Sequence, residues 1–312
     1  MTLTTDPVFG SGGSPSALEE NEEELAAESL FSRWMKRSGL RRRWFRPNRL
    51  MLAIAVLFML LMIGWAIEPS WFSSGNPTAI NPTATLATPS RAYPLGTDQY
   101  GRSIFTQLVY GTRAALEVGF YCTILGGGIG SFIGILAGFI GGWFDMLVMR
   151  LIDMLMALPP LFLALVFIAA LAPTLQNEII AVSIASIPAF ARVLRGRALE
   201  VRSRLFIDAV VVVGVTRRKI LLRHVLANCA APAMVLASLS VGFTIVIGAS
   251  LNFLGLGPSG TISWGSLISS GQGYIDKEWW IATCPGLLIT MLVIAMNIIG
   301  DWLRDAMEPS SQ

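Results

Sequence analysis

Apolar residues in this chain gather into long uncharged runs, with most of the charged residues lying between them. A helix needs about 20 apolar residues to cross a hydrocarbon core of about 30 Å. Runs of this kind predict membrane-spanning helices at residues 50–67, 118–144, 154–177, 231–253 and 279–300. The second run is rich in glycine, which is typical of helices that approach each other closely in lipid.

A sixth run, residues 179–191, is uncharged over only 13 positions. It spans a bilayer only if the arginines that follow it extend their side chains to the membrane surface. Pro159 and Pro160 are expected to kink or delay the helix at 154–177. Residues 254–275 are rich in glycine and serine and predict a loop or a re-entrant segment. The pattern therefore predicts an all-α integral membrane protein with about six transmembrane helices.

Lysine and arginine are concentrated in two clusters. One precedes the first span, from Arg33 to Arg49, and the other lies between the fourth and fifth spans, from Arg192 to Arg223. Cytoplasmic loops collect such residues. Because four spans separate the clusters, both fall on one side, and both termini are predicted to be cytoplasmic. The segment from Tyr93 to Arg113 has few basic residues and is predicted to lie outside.

The composition agrees with a membrane protein. Hydrophobic residues make up 54% of the chain and charged residues 14%, with a mean hydropathy of +0.62, whereas a soluble domain carries about 25% charged residues. One histidine and three widely separated cysteines predict neither a metal site nor a disulfide framework. Residues 1–48, which include a cluster of glutamates, predict a largely disordered cytoplasmic tail, and residues 49–312 a membrane domain.

The segment at about residues 196–228 is predicted to lie in the cytoplasm. Its sequence favours a short helix, a break at Gly214 and a second helix. Ile220, Leu221, Val225 and apolar positions of the first helix are expected to form an apolar docking face beside a basic one. A residue larger than glycine at position 214 would strain the backbone if φ there is positive.

This segment resembles the EAA loop of ATP-binding-cassette import permeases, in which an acidic residue precedes small residues and a glycine follows six places later. Asp208 stands where the family usually has glutamate, and Ala209 matches. Val210 replaces a second alanine, and Gly214 is in place. The resemblance implies that this loop docks in a cleft of a separate ATPase subunit.

The next part of the family's loop pattern, Arg-His-Ile-Leu-Pro-Asn, is similar to residues 223–228, which begin with Arg223 and His224. Ala227 stands where proline is common. The resemblance assigns these positions, together with Arg218, to the ATPase-coupling loop.

Residues 95–103 read Leu-Gly-Thr-Asp-Gln-Tyr-Gly-Arg-Ser and resemble the L-G-T-D-x-x-G-R-D signature of the dipeptide, oligopeptide and nickel permeases, specifically their C-type subunit. Ser103 departs from the usual aspartate. The matching positions are Gly96, Thr97, Asp98, Gly101 and Arg102. The similarity extends from about residue 95 to residue 309, and its further structural positions are Arg150, Asp153, Gly300 and Asp301.

The resemblance implies a type I importer permease fold in a bacterial plasma membrane, and a transport subunit rather than an enzyme. In such importers two related permeases form the pathway, two ATPases bind beneath them, and an extracytoplasmic binding protein delivers the substrate. The chain has no G-x-x-x-x-G-K-[ST] phosphate loop, so ATP and Mg are expected on the partner ATPases and no cofactor on this chain. No nucleic-acid partner is implied. Peptides are the favoured substrates, with nickel complexes and glutathione left open.

Two pairs of opposite charge are expected to bind each other. Asp98 and Arg102 are spaced to pair across one helical turn, in a structural role rather than in substrate contact. Arg150 and Asp153 are spaced i, i+3 and are expected to pair at the cytoplasmic end of the third span.

Two other acidic residues are assigned to helix ends. Asp208 is expected to cap the helix that follows Gly214, or to meet a basic group of the ATPase. Asp301 is expected to lie in a cytoplasmic cap just beyond the sixth span.

A secondary transporter or channel that is not coupled to ATP is the alternative function. It would need coupling groups inside the bilayer or an internal repeat, and a membrane-embedded enzyme would need paired carboxylates at membrane depth. The apolar runs offer neither. Both alternatives also leave the basic segment at 192–223 without a role.

Overall fold

The computed structural model describes residues 49–307. The disordered tail predicted at residues 1–48 lies outside this range, together with most of the first basic cluster and the last five residues. Those predictions stay predictions.

The described chain is helical, which confirms the predicted all-α class. One isolated antiparallel bridge joins Thr97 and Ser103, and residues 49–307 contain no β-strand. A π-helical turn at Leu221–Val225 joins the helices Arg217–Ile220 and Leu226–Phe253. The helices are α1 Arg49–Ile67, α2 Ile104–Ile140, α3 Gly142–Met156, α4 Pro160–Ala170, α5 Leu175–Arg202, α6 Leu205–Val212, α7 Arg217–Ile220, α8 Leu226–Phe253, α9 Trp264–Gly271 and α10 Trp280–Met307.

Five helices of the described chain are long and apolar enough to cross a membrane, namely α1, α2, α5, α8 with the turns that precede it, and α10. The helices α3 and α4, with 15 and 11 residues, are each too short to cross a membrane and make a sixth span only if taken as a pair, which bends by 88° at the break between them. Pro159 is the N-cap of α4 and Pro160 is its first residue. The expected kink is confirmed, and its cause is that proline starts a helix readily but cannot continue one.

The second and fourth spans begin earlier than predicted. In α2 the first residue is Ile104 rather than residue 118, since the side chain of Ser103 caps the helix by accepting a bond from the Thr106 amide (3.4 Å). Thus half of the segment predicted to lie outside as Tyr93–Arg113 belongs to α2. In α5 the side chain of Thr174 caps the first turn, and the helix runs for 28 residues. The span predicted at 179–191 is confirmed but is longer than the uncharged run, because the flanking charged residues belong to the same helix.

The sixth span continues beyond its predicted end. The helix α10 runs on to Met307, so exposed Asp301 lies on the helix itself and not in a cap beyond it. The residue before it, Gly300, faces α8 so closely that an added Cβ would lie 2.7 Å from the Ser238 hydroxyl oxygen. Gly300 therefore has a packing role.

Glycines of α2 form a ridge against the backbone of α5. A Cβ on Gly126 would lie 2.5 Å from the carbonyl oxygen of Ser183, and one on Gly130 would lie 2.5 Å from that of Ile187. Gly134 faces Ala191 in the same way. The glycine-rich run thus lets two spans approach at backbone distance, as its composition predicts.

Candidate functional site

Residues 203–225, the Gly214 segment, form two short helices joined by a tight turn. The turn depends on Gly214, whose φ is +85° and whose amide donates to the Val211 carbonyl (2.9 Å). Both the predicted break and its positive φ are confirmed. Within residues 49–307, no atom beyond its chain neighbours lies within 4 Å of a Cβ built on Gly214, so a larger side chain would be opposed by backbone conformation and not by lack of space.

The Gly214 segment turns apolar side chains outward. Leu205 is 85% exposed, Val212 87% and Val213 81%. The basic residues Arg217 and Arg218 are exposed next to this apolar face. A contiguous exposed apolar patch rimmed by polar groups marks an interaction surface.

The residues predicted to form the docking face are instead buried against their own chain. Ile220 is 2% exposed and Val225 is fully buried. Both join Ile207, Phe190 and Leu194 in one hydrophobic cluster, and Leu221 and other partly buried side chains pack against it. The prediction was wrong for Ile220 and Val225, because an apolar face identified from sequence does not say which neighbour covers it, whereas apolar positions of the first helix, such as Leu205 and Val212, are exposed as predicted. These side chains hold the Gly214 segment onto α5.

Asp208 lies in the first turn of α6 and is exposed. The helix after Gly214 has Thr216 as its N-cap, and no side chain caps it. The predicted capping role of Asp208 was therefore wrong. Within residues 49–307, Asp208 makes no hydrogen bond or ion pair, so its carboxylate is available to a group outside the chain.

The remaining residues assigned to this loop lie on or near the same surface. Ala209 and Arg223 are exposed, as Arg218 is. His224 is half-buried, with its ring centroid 6.3 Å from that of Phe206. A ring contact of this kind gives His224 a packing role at the base of the segment.

Arginines that come before the Gly214 segment on α5 bind acids on α3. Arg195 forms two hydrogen bonds to the Asp145 carboxylate (2.5 and 2.6 Å), and Arg192 pairs with Asp153. The predicted pair within α3 was wrong, because α5 brings Arg192 to Asp153 and leaves Arg150 exposed on the surface. Part of the second basic cluster therefore links two helices.

Residues 95–103, directly before the first residue of α2, form the Asp98 loop. The centre of this loop is a buried carboxylate. Asp98 Oδ1 accepts from the amides of Tyr100 and Arg102 (both 2.9 Å). Its Oδ2 accepts from Arg102 Nε (2.7 Å) and Gln107 Nε2 (3.0 Å). The predicted pairing of Asp98 with Arg102 is confirmed, although it closes a loop rather than a helical turn.

The rest of the Asp98 loop is fixed by its backbone. Gly96 and Gly101 both have φ of +74°, as turns require. Fully buried Thr97 donates its hydroxyl to the Ala84 carbonyl (2.5 Å) and accepts from the Ala87 amide (2.7 Å). Trp280 of α10 donates to the Thr97 carbonyl (3.2 Å). The signature residues thus build one connected structure.

The Asp98 loop and the Gly214 segment lie at opposite ends of the spans. The loop leads directly into α2, while the end of α2 is held by Arg202, which donates to the Phe139 carbonyl (2.9 Å) just before the Gly214 segment. A helix of 37 residues is about 55 Å long. The two features therefore lie at opposite ends of a helix that is long and apolar enough to cross a membrane.

Sequence reasoning missed a buried polar contact between α5 and α8. Glu178 is 1% exposed and Asn252 9%, and Asn252 Nδ2 donates to Glu178 Oε1 (3.0 Å). Glu178 Oε2 and Asn252 Oδ1 are buried without a hydrogen-bond partner in the described chain, beside a cavity of about 20 Å³. That space holds about one water molecule. One feature of the sequence could have pointed to this contact. Glu178 is a single charged residue between two apolar runs.

Comparison with known proteins gives a consistent picture. The model of the family "binding-protein-dependent transport system inner membrane component" matches residues 130–311. A probable D,D-dipeptide transport system permease protein, DdpC of Escherichia coli K12, is 35% identical over 83% of this chain and 86% of its own length. The dipeptide permease DppC of Alkalihalophilus pseudofirmus is 36% identical over 85% and 87%.

A glutathione transport system permease protein of Pectobacterium atrosepticum, GsiD, is 35% identical over 88% of this chain and 92% of its own length. Among solved structures, a chain of the inward-facing methionine ABC transporter MetNI has a TM-score of 0.56. It is 19% identical over 64% of this chain and 96% of that chain. This likeness supports the predicted importer permease fold.

Proposed function

This chain belongs to the family of binding-protein-dependent transport system inner membrane components, and from that premise we propose that it forms one permease half of an ATP-driven peptide importer. The family makes it a transport subunit and argues against a secondary transporter or channel. The peptide substrate is proposed because the relatives named for a cargo carry dipeptides, D,D-dipeptides or glutathione.

The observation that carries the proposal is the outward-facing apolar surface of the Gly214 segment. Leu205, Val212 and Val213 are each more than 80% exposed, and exposed Asp208 lies on the same short helix as the first two. A second chain that covers these side chains would gain about 25 cal/mol per Å² of apolar area buried. We assign this surface to an ATPase subunit, which binds ATP and Mg in place of this chain.

The other partners follow from the family in general terms. A second, related permease completes the pathway, a second ATPase binds that permease, and an extracytoplasmic binding protein delivers the peptide to the end that carries the Asp98 loop. The Gly214 segment and both termini face the cytoplasm in this proposal.

The orientation can be tested by labelling single cysteines from outside intact cells. Ser90 and Ser203 are both exposed and lie toward opposite ends. In a background without Cys122, Cys229 and Cys284, Ser90→Cys is expected to react with an impermeant thiol reagent and Ser203→Cys to react only after the cells are broken. Reaction of Ser203→Cys in intact cells would overturn the orientation.

The ATPase contact can be tested with a charge placed on the apolar surface. Val212→Asp is expected to abolish co-purification of the ATPase and peptide uptake, because a charge in an apolar contact must be desolvated without a partner. The control is Ile80→Asp, which alters an apolar side chain with 66% exposure near the opposite end. Normal ATPase co-purification with Val212→Asp would contradict the docking assignment.

A further inference from the structure

A polar pocket lies between the Asp98 loop and α9. Its volume is about 380 Å³, within the range of pockets that hold small molecules. Most of its lining is polar and comes from two parts of the chain. The Asp98 loop contributes Gln99, Tyr100 and Arg102, and residues in and before α9 include Thr261, Ser266 and Ser270.

Arg102 is held in place while the two terminal nitrogens of its guanidinium stay uncommitted. Its Nε donates to Asp98 Oδ2 (2.7 Å), and its guanidinium carbon lies 4.7 Å from the centroid of the Tyr100 ring. Within residues 49–307, no other hydrogen bond engages the Arg102 side chain, which is 23% exposed. The two terminal nitrogens therefore keep their N–H donors, in the planar fork that matches a carboxylate.

Asp98 does not compete for these donors. Both of its oxygens already accept two hydrogen bonds each, and the residue is fully buried. Its role is to fix the orientation of Arg102, since a guanidinium oriented in advance loses less entropy when it binds an anion. Asp98 is thus a positioning residue, and Arg102 is the group that meets a ligand.

Gln99 also lines this pocket. Its Oε1 is buried and has no hydrogen-bond partner in the described chain, and such an atom costs free energy until a donor reaches it. A ligand that satisfies both groups carries a carboxylate and, close to it, an N–H donor. The C-terminus of a peptide has this combination, since the last peptide N–H is two bonds away from the carboxylate carbon.

We propose that this pocket binds the C-terminal end of a peptide during import, with the carboxylate on the Arg102 guanidinium and the last peptide N–H on Gln99 Oε1. The inference rests on the proposed peptide importer and adds a recognition site in the permease itself. It gives a reason for the four hydrogen bonds that fix Asp98, the carboxylate that orients Arg102.

The test compares a dipeptide with its C-terminal amide in the reconstituted complex of permeases, ATPases and binding protein. Arg102→Lys keeps the positive charge but lacks the fork, so KM for the free acid is expected to rise about tenfold, as for the loss of a hydrogen bond to a charged group. KM for the amide should stay unchanged. The matched control is Arg113→Lys, an exposed arginine that pairs with Glu117 on α2 (3.1 Å), for which neither KM should change.

Three other outcomes would overturn the proposal. An equal rise in KM for acid and amide would assign Arg102 to docking of the binding protein. Uptake of both peptides with no change in either KM would refute the pocket and leave the peptide importer intact. No uptake of peptides by the unmodified complex would refute the proposed function, and the pocket's ligand with it. A variant that fails to assemble is replaced by Gln99→Leu, which should raise KM for both peptides if the last N–H binds Oε1.

Discussion

The two ends of the membrane domain treat polar and apolar side chains in opposite ways. At the Asp98 loop a carboxylate is fully buried and accepts four hydrogen bonds from its own chain. At the Gly214 segment the carboxylate of Asp208 is exposed and has no bond within the described residues, while Leu205 and Val213 face outward. At the first end, the buried carboxylate finds all of its hydrogen-bond partners within the chain. At the second end, residues 49–307 leave the carboxylate without a partner and the apolar side chains uncovered.

The largest effect expected from this contrast is on folding. Asp98→Ala leaves Arg102 and Gln107 without their acceptor, and removal of one partner from a buried pair costs about 3–5 kcal/mol. We expect a large fall in Tm in detergent and a low level in the membrane. Asp208→Ala should leave both unchanged. A normal Tm for Asp98→Ala would show that the loop is not held by its carboxylate.

An intermediate effect on stability is expected at Glu178. This residue shows that buried polar side chains are found in the spans as well as in the Asp98 loop. Glu178→Ala removes the acceptor of the Asn252 side-chain amide and is expected to cost about 1–3 kcal/mol. Glu178→Gln keeps an acceptor for that amide and adds a donor that faces Asn252 Oδ1, so Tm should be preserved. If Gln proves as damaging as Ala, then the charge itself is required, which a purely structural contact does not explain.

The smallest effect on stability, and the most selective effect on function, is expected at Gly214. Gly214→Ala places a side chain in a left-handed conformation at a cost of about 1–2 kcal/mol. Gly255 is a matched control at the opposite end, with φ of +81° and no atom within 4 Å of an added Cβ. Both alanine variants should lower Tm by the same small amount, and only Gly214→Ala should weaken ATPase co-purification. Equal ATPase binding by the two would remove the functional difference between the ends.

The parts of the fold that sequence predicts correctly are those decided by one residue and its immediate neighbours. The kink at Pro159 and Pro160 and the turn at Gly214 follow from the backbone preferences of those residues alone. The contact between Asp98 and Arg102 is also local, although it forms in a loop whose amides bind the same carboxylate and not on the predicted helical turn. Long apolar runs likewise identify the spans, because the requirement of a bilayer is local to each run.

What sequence does not predict depends on the neighbouring helix. Arg150 and Asp153 have the spacing of a pair, but α5 supplies Arg192 instead. Ile220 and Val225 have an apolar pattern that suits either a docking face or a core, and contact with α5 makes them core. In the sequence, Glu178 marks the boundary between two apolar runs. In the structure it lies inside a helix, where α8 provides the side-chain amide that binds its carboxylate.

The glycine ridge between α2 and α5 has a mechanical consequence. Backbone atoms of α5 occupy the places where side chains on Gly126, Gly130 and Gly134 would stand, so these two helices cannot slide past each other without a clash or a loss of contact. We therefore expect the two helices to move together, so that a displacement at the end of α5 carries α2 with it. The 88° bend between α3 and α4 is a break in the spans at which such a motion can be accommodated.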